Sequence, residues 1–269
     1  MKRNLGFVVG MVALGLVDGC DCGSRRTDSD GDAGDADGGS CVKTANKALR
    51  FSGAQYVMAP DSTSLRVSDL TVEAWVNFST VPGASYSTIV AKPLGTGTAD
   101  SFTLWYQSGG LYAGANPTSP SNAIGLTWAP TLGRWYHVAL TYEQTTRAQK
   151  LYVDGALVAS GTAPSDPLYD SHPFFIGGDV DYGTPSGFFS GAIDEVRIWR
   201  SVRAIEEIGG DLRTCTPGAF DGLAAYFPFD EGEGQLAGDL SGNGNTAQLG
   251  ETSAAESSDP TWVDSTVPF

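Results

Sequence analysis

Carboxylates dominate the chemistry available to this chain: 31 Asp and Glu stand against 16 Lys and Arg, with only two histidines and a formal net charge of −15. Glycoside hydrolysis is the first reaction to consider. It needs two carboxyls facing one cleft, about 5 Å apart in retaining enzymes and about 6.5–9.5 Å apart in inverting ones. The most conspicuous pair is Asp194-Glu195, inside GAIDEVRIWR (residues 191–200). Side chains alternate along a strand. Ala192, Asp194, Val196 and Ile198 therefore fall on one face, and Ile193, Glu195, Arg197 and Trp199 on the other. Carboxylates placed back to back cannot serve one cleft. On this reading Glu195 joins Arg197 among surface charges, while Asp194 borders the core. Glu73 stands alone on its strand, and Asp230, Glu231 and Glu233 share a Gly-rich turn. His137 sits mid-strand in WYHVALTY and His172 precedes Pro173, so no nucleophile–base pair suggests itself. The expectation is a protein that is not an enzyme, with no catalytic residue.

The same charge balance argues against nucleic acid, because phosphate binding draws on clustered Lys and Arg. An affinity for cations is compatible with it. Asp28, Asp30 and Asp32 imitate an EF-hand loop, but Ala33 replaces the obligatory Gly and Gly39 stands where a bidentate Glu belongs. That excludes a true EF-hand and leaves weak, non-specific cation binding. No Cys-x-x-Cys spacing exists, so no zinc site is expected.

The elements that would position these residues begin after a long preamble. Residues 1–19 have a basic start and an apolar run from Leu5 to Val17, the pattern of a secretory signal too short to span a bilayer. Val17-Asp18-Gly19-Cys20 resembles a bacterial lipobox, which implies a lipid on Cys20 and a membrane anchor; Asp18 departs from that pattern. Cleavage by ordinary signal peptidase is the competing reading, and both imply export. Residues 20–41 include SRRTDSDGDAGDADGGS (residues 24–40), which lacks any large apolar residue and reads as a disordered acidic tether. In an oxidising compartment, Cys41 and Cys215 would form a disulfide joining the two ends of the folded part. Cys22 stays free in that scheme, and pairing of Cys22 with either remains open.

Beyond Ala48 the chain reads as strand after strand. Val72, Ala74, Val76 and Phe78 alternate with Glu73, Trp75 and Asn77, and Asp154-Gly155 between alternating runs signals a tight hairpin. SVRAIEEIGG (residues 201–210) is the only helix-like stretch. With 41% hydrophobic residues and abundant Gly, this predicts an all-β, two-sheet antiparallel jelly-roll sandwich.

The blocks ALRFSGAQYVMAP, LTVEAWVN, RWYHVALTYE, KLYVDGALVASG, FFIGG and FFSGAIDEVRIWRSVRAIEEI resemble, in order, the LamG-like jellyroll domain of the concanavalin A-like lectin/glucanase fold group. The resemblance runs from about Ala48 to Ile208 and places the domain at residues 42–212. GLAAYFPFDEGEGQLAGDLSGNGN, near the C-terminus, is similar to strands that usually open this domain. Residues 213–269 are therefore expected to complete the same sandwich in permuted order. The resemblance also implies a structural Ca²⁺ near Asp194 and the Ser52-Gly53 turn. Ser52 stands where the family carries Asp, which removes one charged ligand; the alternative is that Asp194 accepts backbone hydrogen bonds.

Ligand binding is the family's general expectation. Trp105, Tyr106, Tyr112, Trp128, Tyr182, Phe188 and Phe189 are the aromatics placed to stack on sugars, unless they belong to the core. Asp179, Asp181 and Tyr182, in the Gly-rich loop of residues 177–187, are the candidate ligand-binding residues. The function expected is non-catalytic recognition of carbohydrate or protein at a bacterial cell surface by an exported, lipid-anchored module. A structural or adhesive envelope protein is the alternative, and a degenerate glycoside hydrolase the third reading.

Overall fold

The computed structural model describes residues 46–116, 122–212 and 221–269. The expected signal segment, lipidation site, tether and all four cysteines lie outside the described residues. The first half of the chain forms β1 (Lys47–Ser52), β2 (Val57–Ala59), β3 (Leu70–Phe78), β4 (Ser87–Leu94), β5 (Ala99–Gln107), β6 (Gly110–Ala115) and β7 (Ile124–Thr127). Then follow β8 (Trp135–Glu143), β9 (Ala148–Val153), β10 (Ala156–Thr162), β11 (Phe174–Ile176), β12 (Asp179–Asp181), β13 (Thr184–Ser186) and β14 (Ser190–Trp199). The one α-helix among the described residues, α1 (Ile205–Asp211), precedes β15 (Leu223–Phe227), β16 (Leu236–Ala237), β17 (Ala247–Leu249) and β18 (Thr261–Asp264).

These strands build two antiparallel sheets, face to face, as the sequence pattern predicts. The first has the order β10-β9-β8-β3-β14-β1-β18, with β15 also on β14; the second runs β16-β17-β2-β11-β4-β5-β6-β7. β1 pairs with residues 190–193 of β14 and β15 with residues 196–199, so the two lie end to end beside one long strand. The C-terminal strands enter both sheets: β18 borders β1, and β17 borders β2.

Alternation explains the core. Val72, Ala74, Val76 and Phe78 of β3 face Tyr136, Val138, Leu140 and Tyr142 of β8 in the same buried layer, and Leu104, Tyr106, Leu111 and Ala113 close it from the second sheet. Removing the Val, Leu and Phe side chains of this layer from water contributes roughly 1.5–3 kcal/mol each. Asp154 (φ 49°) and Gly155 (φ 74°) are both left-handed, the geometry of a type I′ turn whose twist matches its flanking strands. α1 is short, and its start is fixed by the Glu207 carboxylate, which accepts the Ala204 N–H at 2.7 Å.

β14 departs from the sequence expectation. Its register against β3 jumps between Asp194 and Arg197, and Glu195 sits at φ 53°. This β-bulge inserts one residue and resets the alternation. Ile193 faces the core before it, and Val196 and Ile198 face the core after it. Asp194 and Glu195 therefore both lie on the outer side of the first sheet. The back-to-back assignment made from strict alternation is corrected accordingly, and so is the placing of Glu195 on the surface, since it is 1% exposed.

The two outer faces are covered differently. Over the first sheet, Ile208 of α1 packs on Ala139 and Tyr152, while Val267 packs with Ala48, Trp75, Trp135 and Ala192. Over the second lies the β12–β13 hairpin, tied down where Tyr182 N–H donates to the Gly97 carbonyl at 3.0 Å and Thr88 N–H to the Gly187 carbonyl at 2.7 Å.

Candidate functional site

Register lays out the outer face of the second sheet. Met58, Phe175, Ala91, Thr103 and Gly114 form one row across the strands, and Thr88, Trp105, Tyr112 and Gly125 the next. The alternate residues Val90, Leu104, Ala113 and Ile124 point into the core. The hairpin, with Tyr56 and Phe188 stacked beside it (ring centroids 6.4 Å apart), covers the first row. Phe175 and Thr103 are consequently each only 3% exposed despite facing outward.

The second row remains accessible at Tyr112. A Cβ built on Gly125 would lie 2.4 Å from the Tyr112 ring, and one built on Gly110 would lie 2.9 Å from it. The ring thus lies across both glycines, in space that any other residue would fill. Trp105 is beside it at 5.6 Å between centroids and 23° between planes, and Tyr86 flanks Trp105 at 6.2 Å. Trp105 is buried, and its Nε1 has no hydrogen-bond partner; Tyr86 is 44% exposed and Tyr112 half-buried. Such rings are amphipathic, offering an apolar face together with a polar tip.

Three carboxyls meet where the hairpin crosses the sheet. Asp100 of β5 is 7% exposed. Burial pushes its carboxyl well above the ordinary value, the charges of Asp179 and Asp181 push it the same way, and it shares a hydrogen bond with Asp179. Burial likewise raises Asp179 to about 6, although its carboxylate accepts the Val180 N–H. Asp181 accepts from the Ser186 hydroxyl at 2.6 Å. The hydrogen bond they share raises Asp100 and lowers Asp179, so it favours the proton on Asp100 over Asp179.

Of the residues singled out in the sequence, Asp179, Asp181 and Tyr182 do come together on this hairpin. The first two turn toward the sheet, and Tyr182, 77% exposed, forms the tip. Tyr106, Trp128 and Phe189 pack around Phe78 in the core. Tyr86 and Asp100 were missed. A signal for the platform exists in Gly110-x-Tyr112-x-Gly114, which puts glycine on either side of tyrosine on one strand face.

The residues expected near calcium do not converge. Ser52 is exposed and pairs with Ser190, four residues along β14 from Asp194. Asp194 is buried, accepting from the Glu195 N–H at 2.8 Å and the Ser265 hydroxyl at 2.6 Å. Among the described residues, no group of three or more His, Asp or Glu is arranged to hold a metal ion. The donors present do not fit a calcium site of the expected composition.

The outer face of the first sheet instead holds a buried polar network. Glu195 accepts from Arg197 at 2.5 Å and from the Tyr226 hydroxyl at 2.7 Å. Glu73 accepts from Trp199 Nε1 at 2.5 Å and lies 3.3 Å from His137 Nε2. Burial alone would raise Glu73, but hydrogen bonding and the charges of His137 and Arg197 hold it below its ordinary value. Asp211 of α1 pairs with Arg203 at 2.8 Å. Covered by α1, this network has the geometry of a structural anchor.

Comparison with known proteins agrees with the two-sheet architecture. A Bacteroides ovatus protein assigned by inference to carbohydrate binding superposes with a TM-score of 0.59 at 25% identity, covering 81% of this chain and 61% of that protein. This chain thus matches under two thirds of that protein's length. A heptameric SAP-like pentraxin from Limulus polyphemus gives 0.51 at 15% identity over 66% of this chain and 86% of the pentraxin, a likeness of fold alone. No curated protein matches the sequence significantly. The Laminin_G_3 family model matches residues 51–209, more than half of the chain, and by that match the protein belongs to the concanavalin A-like lectin/glucanases superfamily.

Proposed function

We propose that the chain is a non-catalytic glycan-binding module and that Tyr112 and Tyr86, backed by the buried Trp105, are its sugar platform. The carrying observation is the Tyr112 ring laid across Gly110 and Gly125. A sugar stacks its C–H face on such a ring while its hydroxyls reach flanking polar groups, and a rigid sheet presents the ring without ordering cost. The Bacteroides ovatus relative, with its inferred carbohydrate role, supports the same reading. Burial of Asp100 beneath the hairpin removes the carboxyl with the most raised pKa on this face from contact with a substrate, which favours binding over hydrolysis. Isothermal titration of the full chain against a polysaccharide panel tests this. Tyr112→Ala should weaken binding at least tenfold, about 1.4 kcal/mol, in protein that circular dichroism shows to be folded; binding indifferent to that change sinks the platform.

The N-terminal sequence supports export and lipidation on Cys20 as the setting for this module. Metabolic labelling with a fatty acid, lost in Cys20→Ser, is the expected result. A Cys41–Cys215 disulfide is supported by where the described segments begin and end. Leu212 packs against the cluster holding Ala48 and Val267, and Asn46 bonds to Ser265. Cys41 lies five residues before Asn46 and Cys215 three after Leu212. Mass spectrometry without reductant should find the two peptides linked.

A further inference from the structure

We infer that the platform selects uncharged glycans and rejects anionic ones, an inference that rests on the platform being the binding site. It follows from how bases are distributed. Between Arg66 and Arg134 the sequence contains one basic residue, Lys92, and residues 173–196 contain none. These two stretches supply β4 to β7, β11, the hairpin and the connections around them. Lys92 is fully buried and committed, donating to Asp61 at 2.8 Å and to the His172 carbonyl. Arg66 is bound to the same Asp61. Arg134 lies at the other sheet, paired with Asp154 and over the Tyr136 ring.

The acidic side chains on this face are Asp100, buried beneath the hairpin, and the half-buried Asp179 and Asp181 of the hairpin itself. A carboxylate, sulfate or phosphate on a ligand would therefore lose water without gaining a cation. Such recognition is normally supplied by Arg or Lys in charge-assisted contacts, and an uncompensated buried charge is strongly disfavoured. The chain's net charge of −15 adds a repulsive field, which physiological salt screens only beyond roughly 8 Å. Trp105 Nε1 is buried, and a neutral indole N–H could not in any case offset a full negative charge. Hexopyranose or N-acetylhexosamine chains carry what the surface accepts, namely apolar ring faces and neutral polar groups.

The test uses the full chain in isothermal titration against neutral glycans (linear β-glucan, mannan, chitin oligosaccharides) and anionic ones (polygalacturonate, alginate, sialyllactose), at low and physiological salt. Binding confined to neutral glycans and weakened at least tenfold by Tyr112→Ala is the expected result. Thr127→Arg, at an exposed position opposite Gly110, should then confer measurable binding to a uronate polymer. Anionic binding by the native chain that Tyr112→Ala abolishes overturns the selectivity and leaves the site standing. Neutral binding that ignores Tyr112→Ala overturns the site, and silence across the whole panel overturns both.

Discussion

The two sheets share one core but spend their outer faces in opposite ways. On the first, Glu73, His137, Glu195, Arg197 and Tyr226 are buried and hydrogen-bonded beneath α1 and the C-terminal residues. On the second, glycine and aromatic residues hold the open row, and its one base is buried. Charge thus accumulates where a cover excludes solvent, and is missing where a ligand would have to dock. A buried ionic network tolerates no missing partner, so it serves to fix a covering helix in place. An uncharged aromatic platform has little desolvation to overcome and suits reversible binding.

The contrast can be broken most forcefully at Arg197. Arg197→Ala leaves Glu195 and its neighbours without their central cation, and urea denaturation should show a loss of about 3–5 kcal/mol, with glycan affinity of the surviving folded protein unchanged. A loss under about 1 kcal/mol would mean that water already compensates these groups. Next in size is Gly125→Ala, whose methyl group would meet the Tyr112 ring. It should cost about 1–3 kcal/mol of stability and lower glycan affinity together, whereas Gly97→Ala, with open space around it, should do neither.

Carboxylates packed against the second sheet give a finer test through pH. Asp179 has a folded value of about 6 against an ordinary 3.8, so between those values the folded protein holds a proton that the unfolded chain has lost. Stability from this group falls as pH rises through that window. Asp170, held at about 2 by hydrogen bonds from His172 and Gly95 despite the opposing effect of burial, acts in the reverse sense: its contribution is present above 3.8 and disappears as pH falls toward 2. Melting should therefore occur about 2–4 °C higher at pH 5 than at pH 7.5, the scale of about 1 kcal/mol in a domain this size, and Asp179→Asn should reduce that difference while Asp100, raised in the same direction, carries the remainder. The smallest effect is expected at the exposed Arg134–Asp154 pair. Arg134→Ala should leave the denaturation midpoint within error, because such pairs contribute little in water.

Local signals carried most of the architecture. Alternation in β3 and the Asp154-Gly155 turn are properties of a few neighbouring residues, and the structure follows them. The bulge in β14 has no such signal: a glutamate at φ 53° is held there by Arg197, two residues on, and by Tyr226, whose arrival depends on β15. The hairpin residues Asp179 and Asp181 were legible as a polar Gly-rich loop. Their partner Asp100 was not, because it lies on a strand 79 positions from Asp179 and meets it only through the fold. Tyr112 was legible as an aromatic beside a turn, while its flat posture depends on Gly125 across the neighbouring strand.

The strand order also sets a timetable. β1 opens the described part of the chain, yet its far edge stays unpaired until β18, residues 261–264, is available. The edge of β14 beyond β1 likewise waits for β15. Contacts this distant along the chain slow folding and leave strand edges unsatisfied meanwhile. The sandwich can therefore close only once β18 has been made, so a nascent chain stalled before Thr261 would be protease-sensitive, and addition of β18 would act as the locking step.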